Sequence, residues 1–284
     1  MSPGEAGNGQ WIFEDWHGQT RFALNVLDWL HDEQSAYQRI QVIDTQVYGR
    51  VLVLDGIFQT SEQDEHFYHE MLVQPAMCTA AKIERALIIG GGDGGTAREV
   101  LRHQAVKELV MVEIDERVVC VARQFLPEIG TGFADPRLQL RFENGVQYVH
   151  DAPSGSFDVI ILDGSDPVGP STGLFGIDFY RQCKRVLKPD GVFALQSESF
   201  FQTDTLWHEI QSTLQQVFKG VHPYLGMAPL YSTGTWSWTL CGQALEPLDI
   251  INERAAVVEA HTRYYNRDIH RSAFTLPNDL CSQP

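Results

Sequence analysis

Hydrophobic and polar positions along the chain follow two regimes. Residues 37–60 read YQRIQVIDTQVYGRVLVLDGIFQT, short β-branched and aliphatic runs broken at Tyr48-Gly49 and Asp55-Gly56. Such runs between turn dipeptides predict a small antiparallel sheet of hairpins. From Glu84 onward, apolar strands alternate with stretches of helical period. RALIIG precedes TAREVLRH, ELVMVEID precedes ERVVCVARQFL, and LQLRFEN precedes a short helix over 146–150. FDVIILD then precedes FGIDFYRQCKRVL, and GVFALQSE precedes TLWHEIQSTLQQVF. Strands separated by helices pair in parallel through right-handed crossovers. The expected fold is therefore α/β: a doubly wound, mostly parallel sheet behind a small N-terminal antiparallel β domain. TWSWTLCG, residues 235–242, reads as a late antiparallel strand.

The same pattern sets the boundaries. Residues 1–10 are Gly-rich and expected to be mobile, 11–61 form the β-hairpin domain, and 62–284 form the catalytic domain, with a helix over 62–77 as connector. Ser61 is a suitable N-cap, acids fill the first turn, and Phe67, Met71 and Leu72 share a helical face. ERAAVVEAHTRYYNRDIH reads as a helix followed by an ordered extension.

Composition narrows the function. With 43% apolar residues in 284 the chain can bury a sizeable core, and its net charge of −16 repels phosphate backbones and favours cations. A general nucleic-acid binder would carry the opposite balance. The five scattered cysteines form no CxxC pair and no zinc-ligand cluster, so no metal is expected. The sequence shows no signal peptide and no membrane span, which implies a reducing cytoplasm.

Chemistry concentrates at two loops. Gly90-Gly91-Gly92-Asp93-Gly94-Gly95 follows an apolar strand and precedes a helix, where missing Cβ atoms let backbone approach a nucleotide. Glu113 ends the next strand some twenty residues on, where a carboxylate can accept both ribose hydroxyl protons. Asp93 inside the turn would repel a pyrophosphate, which argues against NAD or FAD, and also the carboxylate tail of intact S-adenosylmethionine. It suits an ammonium without a carboxylate; its other possible role is to cap the following helix. Asn144-Gly145, after the third strand, either meets an adenine or is simply a turn.

The second loop is FDVIILDGSDPVGP, in which a buried strand delivers Asp163 and then Asp166 into a loop stiffened by Pro167 and Pro170. An alkyl amine has a pKa near that of lysine, about 10.4, so a nucleophilic amine needs a group to take its proton. A carboxylate there gives general-base help of about 10²–10⁴-fold and stabilises positive charge as it moves from sulfur to nitrogen. Asp163 is the candidate acceptor; Asp166 either binds a diamine or steadies the turn.

The motifs YGRVLVLDG (48–56), DEHFYHEM (64–71), IIGGGDGG (88–95), VEID (112–115), LDGSDPVGP (162–170) and RYYNRDIH (263–270) together resemble the polyamine aminopropyltransferases, most closely the bacterial spermidine synthases. The resemblance runs from Trp11 to about Pro277. It implies a Rossmann-like sheet of the class I methyltransferase kind, and transfer of an aminopropyl group from decarboxylated S-adenosylmethionine, a co-substrate rather than a permanently bound cofactor, to putrescine, by a homodimer or homotetramer. It implies that Gln38, Glu113, Asn144, Gly145 and Pro170 contact the nucleoside. His69, Asp93 and the segment Asp163, Gly164, Ser165, Asp166 would contact the amine chain, with Asp163 as proton acceptor. Tyr68, Glu198 and Tyr231 would line the acceptor channel and Trp11 would cap its far end. Read without the resemblance, Tyr68 and His69 pass as packing on an apolar helix. Many relatives carry Asp where this chain has Asn144, whose uncharged oxygen pulls less strongly on an adenine amine. An S-adenosylmethionine-dependent methyltransferase and a non-catalytic polyamine or nucleotide sensor are the alternatives that the residues leave open.

Overall fold

The computed structural model describes residues 9–16, 18–165 and 169–281. Six strands come first: β1 (Gln10–Trp16), β2 (Thr20–Val26), β3 (Asp28–Gln34), β4 (Arg39–Thr45), β5 (Gly49–Leu54) and β6 (Ile57–Ser61). The first two form an antiparallel hairpin and β3 to β6 a four-stranded antiparallel sheet in chain order. Apolar residues of both, among them Leu24, Val26, Ile43, Val51, Val53 and Phe58, close over Leu230 of the larger domain.

Helix α1 (Glu65–Thr79) starts three residues later than the 62–77 expectation. Ser61 does not cap it; its hydroxyl instead donates to Asp64 at 2.5 Å. α1 is buried on nearly every side, which is why no single apolar stripe marks it. Pro75 inside it has no N–H for the Met71 carbonyl. The Tyr224 hydroxyl supplies the missing hydrogen at 2.8 Å.

The main sheet has seven strands. In chain order they are β7 (Arg85–Gly90), β8 (Glu108–Glu113), β9 (Leu138–Phe142), β10 (Phe157–Asp163), β11 (Leu187–Gln196), β12 (Gly220–Met227) and β13 (Thr235–Gly242). Their spatial order is β12-β13-β11-β10-β7-β8-β9, parallel from β11 to β9, with β13 antiparallel to β11 and β12 antiparallel to β13. This is a Rossmann-like sheet with an antiparallel edge. The edge strand β12 has no counterpart among the strands read from the sequence: Pro223 interrupts it, and proline is tolerated only because the strand lies at the edge.

Helices α2 (Gly95–Leu101), α3 (Glu116–Phe125), α4 (Gly145–Asp151), α5 (Ile177–Val186) and α6 (Asp204–Gln215) form the crossovers, and α7 (Asn252–Glu259) and α8 (Arg267–Ala273) follow the last strand. Alternation along the strands divides the core. Ile88, Met111, Val159, Ile161 and Ala194 face α1, α2 and α7, whereas Leu87, Ile89, Val110, Ile160 and Leu195 face α5 and α6. Among the described residues no helix is long and apolar enough to cross a membrane.

Candidate active site

From β7 the chain proceeds to β8 and β9 on one side, then returns to place β10 on the other. The carboxyl ends of β7 and β10 therefore flank the point where strand order reverses, the usual ligand position in an open α/β sheet. Gly90 is paired with Asp163, and the Gly91 amide donates to the Asp163 carbonyl at 2.9 Å. A Cβ on Gly90 would lie 2.2 Å from that carbonyl oxygen, and its φ of +84° is open to glycine. The glycine turn and the acidic strand end are thus one continuous surface.

Five side chains meet on that surface. The Asp163 carboxylate accepts from Tyr68 Oη at 2.9 Å on one oxygen and from Thr96 Oγ1 at 2.6 Å on the other. Burial raises its pKa above the ordinary carboxylate range, opposed by the nearby positive charge of His69 and reinforced by Asp93. Burial and the Asp163 charge push the Tyr68 hydroxyl well above 10, so it remains a donor. Asp93 has two attachments: Oδ1 accepts from the Gly95 amide at 2.8 Å, and Oδ2 lies 3.2 Å from His69 Nε2. Its local helix contact and its outward charge coexist. Gly95 is required by packing, since a Cβ there would lie 2.3 Å from the His69 ring.

Beyond the turn, Glu113 ends β8 with one oxygen accepting from the Asp115 amide at 2.9 Å. Burial pushes its pKa from 4.5 to about 7. Gln38, from the turn between β3 and β4, donates to Asp115 at 3.1 Å, as does Ser35 at 2.7 Å, so the N-terminal sheet is fastened beside Glu113. Asn144 caps α4 by accepting from the Gln147 amide at 3.1 Å, and a Cβ on Gly145 would lie 2.6 Å from Ile89. Ser165 Oγ pairs with Ser171 Oγ at 2.7 Å, and the Gly164 carbonyl accepts from Gln196 at 3.2 Å.

Ser35, Gly95, Thr96, Asp115 and Gln147 stand behind the surface, and the other residues named here line one open cleft of about 1230 Å³, part of it continuous with solvent. Tyr231 lines it too, edge-on to Tyr68 at 5.9 Å, with its hydroxyl donating to the Gln59 carbonyl at 3.1 Å. Asp166 lies outside the described residues, and so does the side chain of Pro170.

Among the described residues, two of those expected are not among the ones that line the cleft. Trp11 is 49% exposed and turned away from the cleft, because period-2 alternation along β1 sends Ile12, Glu14 and Trp16 inward and Trp11, Phe13 and Asp15 outward. The tryptophan that lines the cleft is Trp16, together with Glu14, which is only 4% exposed. Glu198 is buried behind Gln196, which donates to its carboxylate at 3.1 Å; Gln196 is the one that faces the cleft. The chain turns out of β11 there with a φ of +70° at Glu198, which ends the strand's alternation.

Sequence reasoning also missed Thr96, Glu14, Trp16, Gln59 and Gln196. Thr96 had a legible signal as a hydroxyl at the first turn of the helix after the glycines, and Glu14 and Trp16 share strand parity; nothing local marks Gln59 or Gln196.

Residues 65–250 match the spermine/spermidine synthase domain model, and residues 10–62 match the spermidine synthase tetramerisation domain model. The chain belongs to the spermine/spermidine synthase family. It is 51% identical over 239 residues to a polyamine aminopropyltransferase of Prochlorococcus marinus (strain MIT 9313), covering 84% of this chain and 82% of the relative. It is 42% identical over 269 residues to that of Moorella thermoacetica, covering 95% and 94%. A crystal structure of spermidine synthase in complex with the transition state analogue AdoDATO superposes with a TM-score of 0.92 at 36% identity, covering 95% of this chain and 93% of that one. The spermidine synthase of Thermotoga maritima gives 0.91 at 36% identity, covering 96% and 93%. The activity class of this family is aminopropyl transfer.

Proposed function

We propose that this family member is a spermidine synthase that transfers the aminopropyl group of decarboxylated S-adenosylmethionine to putrescine, and that it works as a homodimer or homotetramer. The observation that carries the reading is the pairing of Asp93 and Asp163 at the switch point. Two carboxylates side by side suit a cationic chain and are hostile to the carboxylate tail of intact S-adenosylmethionine.

In this reading Glu113 accepts from the ribose hydroxyls, and Gln38, Asn144, Gly145 and Pro170 frame the nucleoside. An amide oxygen has two lone pairs, so capping α4 leaves Asn144 one for the adenine amine. Asp93, with His69 against its other side, and residues 163–166 hold the amine chain between Tyr68 and Tyr231. Glu14 and Trp16 form the far wall, where a buried carboxylate suits the second ammonium of a diamine.

The acceptor nitrogen attacks the methylene carbon bonded to the sulfonium sulfur, in line with the C–S bond. That bond breaks with its electron pair going to sulfur, giving neutral 5'-methylthioadenosine. The departing N–H proton passes to Asp163, whose two hydroxyl donors fix its oxygens toward the cleft. Positive charge moves from sulfur to nitrogen, close to the carboxylates that stabilise it.

The test is to supply decarboxylated S-adenosylmethionine with putrescine and follow spermidine and methylthioadenosine by mass spectrometry. Absence of product with every diamine from three to six carbons would sink the reading.

A further inference from the structure

Both ring nitrogens of His69 face carboxylate oxygens: Nδ1 lies 2.7 Å from Glu65 Oε2, and Nε2 lies 3.2 Å from Asp93 Oδ2. A neutral imidazole has one N–H and one lone pair, so either tautomer would set a bare lone pair against a carboxylate. Only the imidazolium offers a hydrogen to each. The ring is fully enclosed at 2% exposure, edge-on to Tyr68 at 5.4 Å and pressed against Gly95.

Glu65 is itself aimed. Arg98 Nη2 lies 2.7 Å from the same Oε2, while Arg98 Nε reaches Glu99 at 2.9 Å and Nη1 reaches the Ile129 carbonyl at 3.3 Å. The charged groups around His69 are Glu65 from its own helix, Asp93 from the glycine turn, Asp163 from β10 and Arg98 from α2, with Asp64 at the start of α1. His66, one turn away, is pushed by burial down to about 4 and carries no charge at neutral pH.

We propose that Glu65 is a positioning residue which, steered by Arg98, holds His69 as a permanent imidazolium whose Nε2–H donates to Asp93. Held so, His69 cannot take the proton of the attacking amine. It supplies one fixed counter-charge to the Asp93 and Asp163 pair, keeps Asp93 aligned and helps Asp163 remain ionised. Burial favours the neutral ring, but the Asp93 and Glu65 charges outweigh it and raise the His69 pKa well above 6.5. Burial likewise opposes ionisation of Glu65, yet His69 and Arg98 hold it down to about 2.

The kinetic half of this inference rests on the aminopropyl-transfer reading; the protonation half does not and is measured without substrate. The experiment is ¹⁵N NMR of histidine-labelled full-length protein, with the His69 signals assigned by their loss in His69→Gln. The wild-type ring is expected to keep both N–H signals from about pH 6 to about pH 9, far past an ordinary histidine. A wild-type His69 that titrates between about pH 6 and 8 would overturn the inference.

In Glu65→Gln the ring is expected to deprotonate inside that window, and the ratio of variant to wild-type turnover to fall at least about tenfold as pH rises across it. Glu65→Asp keeps the charge, is expected to keep the imidazolium, and replaces Glu65→Gln if that variant does not fold. An unchanged His69 titration in Glu65→Gln, or a turnover ratio flat with pH, also refutes it. If the wild type transfers nothing to any amine, the reaction assignment falls while the NMR titration still decides this proposal.

Discussion

On the proposed reading Glu113 serves binding and stability in opposite senses, and Glu113→Gln separates them. As the acid moves from water into the fold, burial takes its pKa from 4.5 to about 7. At 1.36 kcal/mol per unit, the ionised form is disfavoured by about 3 kcal/mol. An acid whose folded pKa exceeds its unfolded one binds more protons folded than unfolded. Its contribution to stability is therefore greatest below pH 4.5 and is lost as pH rises through about 7. A glutamine keeps the oxygen that accepts from the Asp115 amide and has no charge to bury. Glu113→Gln is thus expected to be more stable than wild type at about pH 8, by about 2–3 kcal/mol and several degrees in Tm, and about equal to it at about pH 4.5. Binding should move the other way. Exchanging two charge-assisted ribose bonds for one acceptor and one donor costs about 2–3 kcal/mol, a Kd for methylthioadenosine about 30–150-fold weaker by calorimetry. Wild-type affinity should also weaken as pH falls below about 7, and that slope should vanish in the variant. A variant no more stable than wild type at about pH 8, or a stability difference independent of pH, refutes the reasoning.

Three further expectations follow from the same geometry. Asp163→Asn should keep methylthioadenosine affinity within a few-fold and lose at least about a hundredfold in kcat, as measured by steady-state product formation. Glu14→Gln should reduce kcat/KM for putrescine by about tenfold or more while leaving that for n-butylamine nearly unchanged; equal loss on both would remove Glu14 from recognition of the second amine. Gly95→Ala, which at a helix start would ordinarily gain about 0.5–1 kcal/mol, should instead destabilise by about 1–3 kcal/mol in denaturant titrations, because the His69 ring must shift.

The parts of the molecule legible in the sequence are those built by local pattern. The alternation of RALIIG with TAREVLRH and its successors carried the parallel sheet, since buried strands and amphipathic crossovers each have their own period. Asp93, Glu113 and Asp163 stood out because each ends or follows an apolar strand, where chain direction alone points a side chain at the ligand side. What escaped depends on distant partners. β12 has no alternation because an edge strand interrupted by Pro223 needs none. Thr96 became an oriented group only when β10 brought Asp163 beside it, 67 positions along. Trp11 and Trp16 could be told apart only by strand register, which a five-residue separation inverts.

The cleft is walled by three separate sheets. Asp93, Glu113 and Asp163 come from the seven-stranded sheet, Glu14 and Trp16 from the hairpin, and Gln38 and Gln59 from the four-stranded sheet. On the proposed reading, the reacting groups and the wall that meets the far end of the acceptor are thus distinct stretches of the chain. Substituting residues 10–26 from a relative with another acceptor should retune chain-length preference while leaving the proton acceptor and the nucleotide cradle untouched, so diversification of substrate need not pass through loss of chemistry.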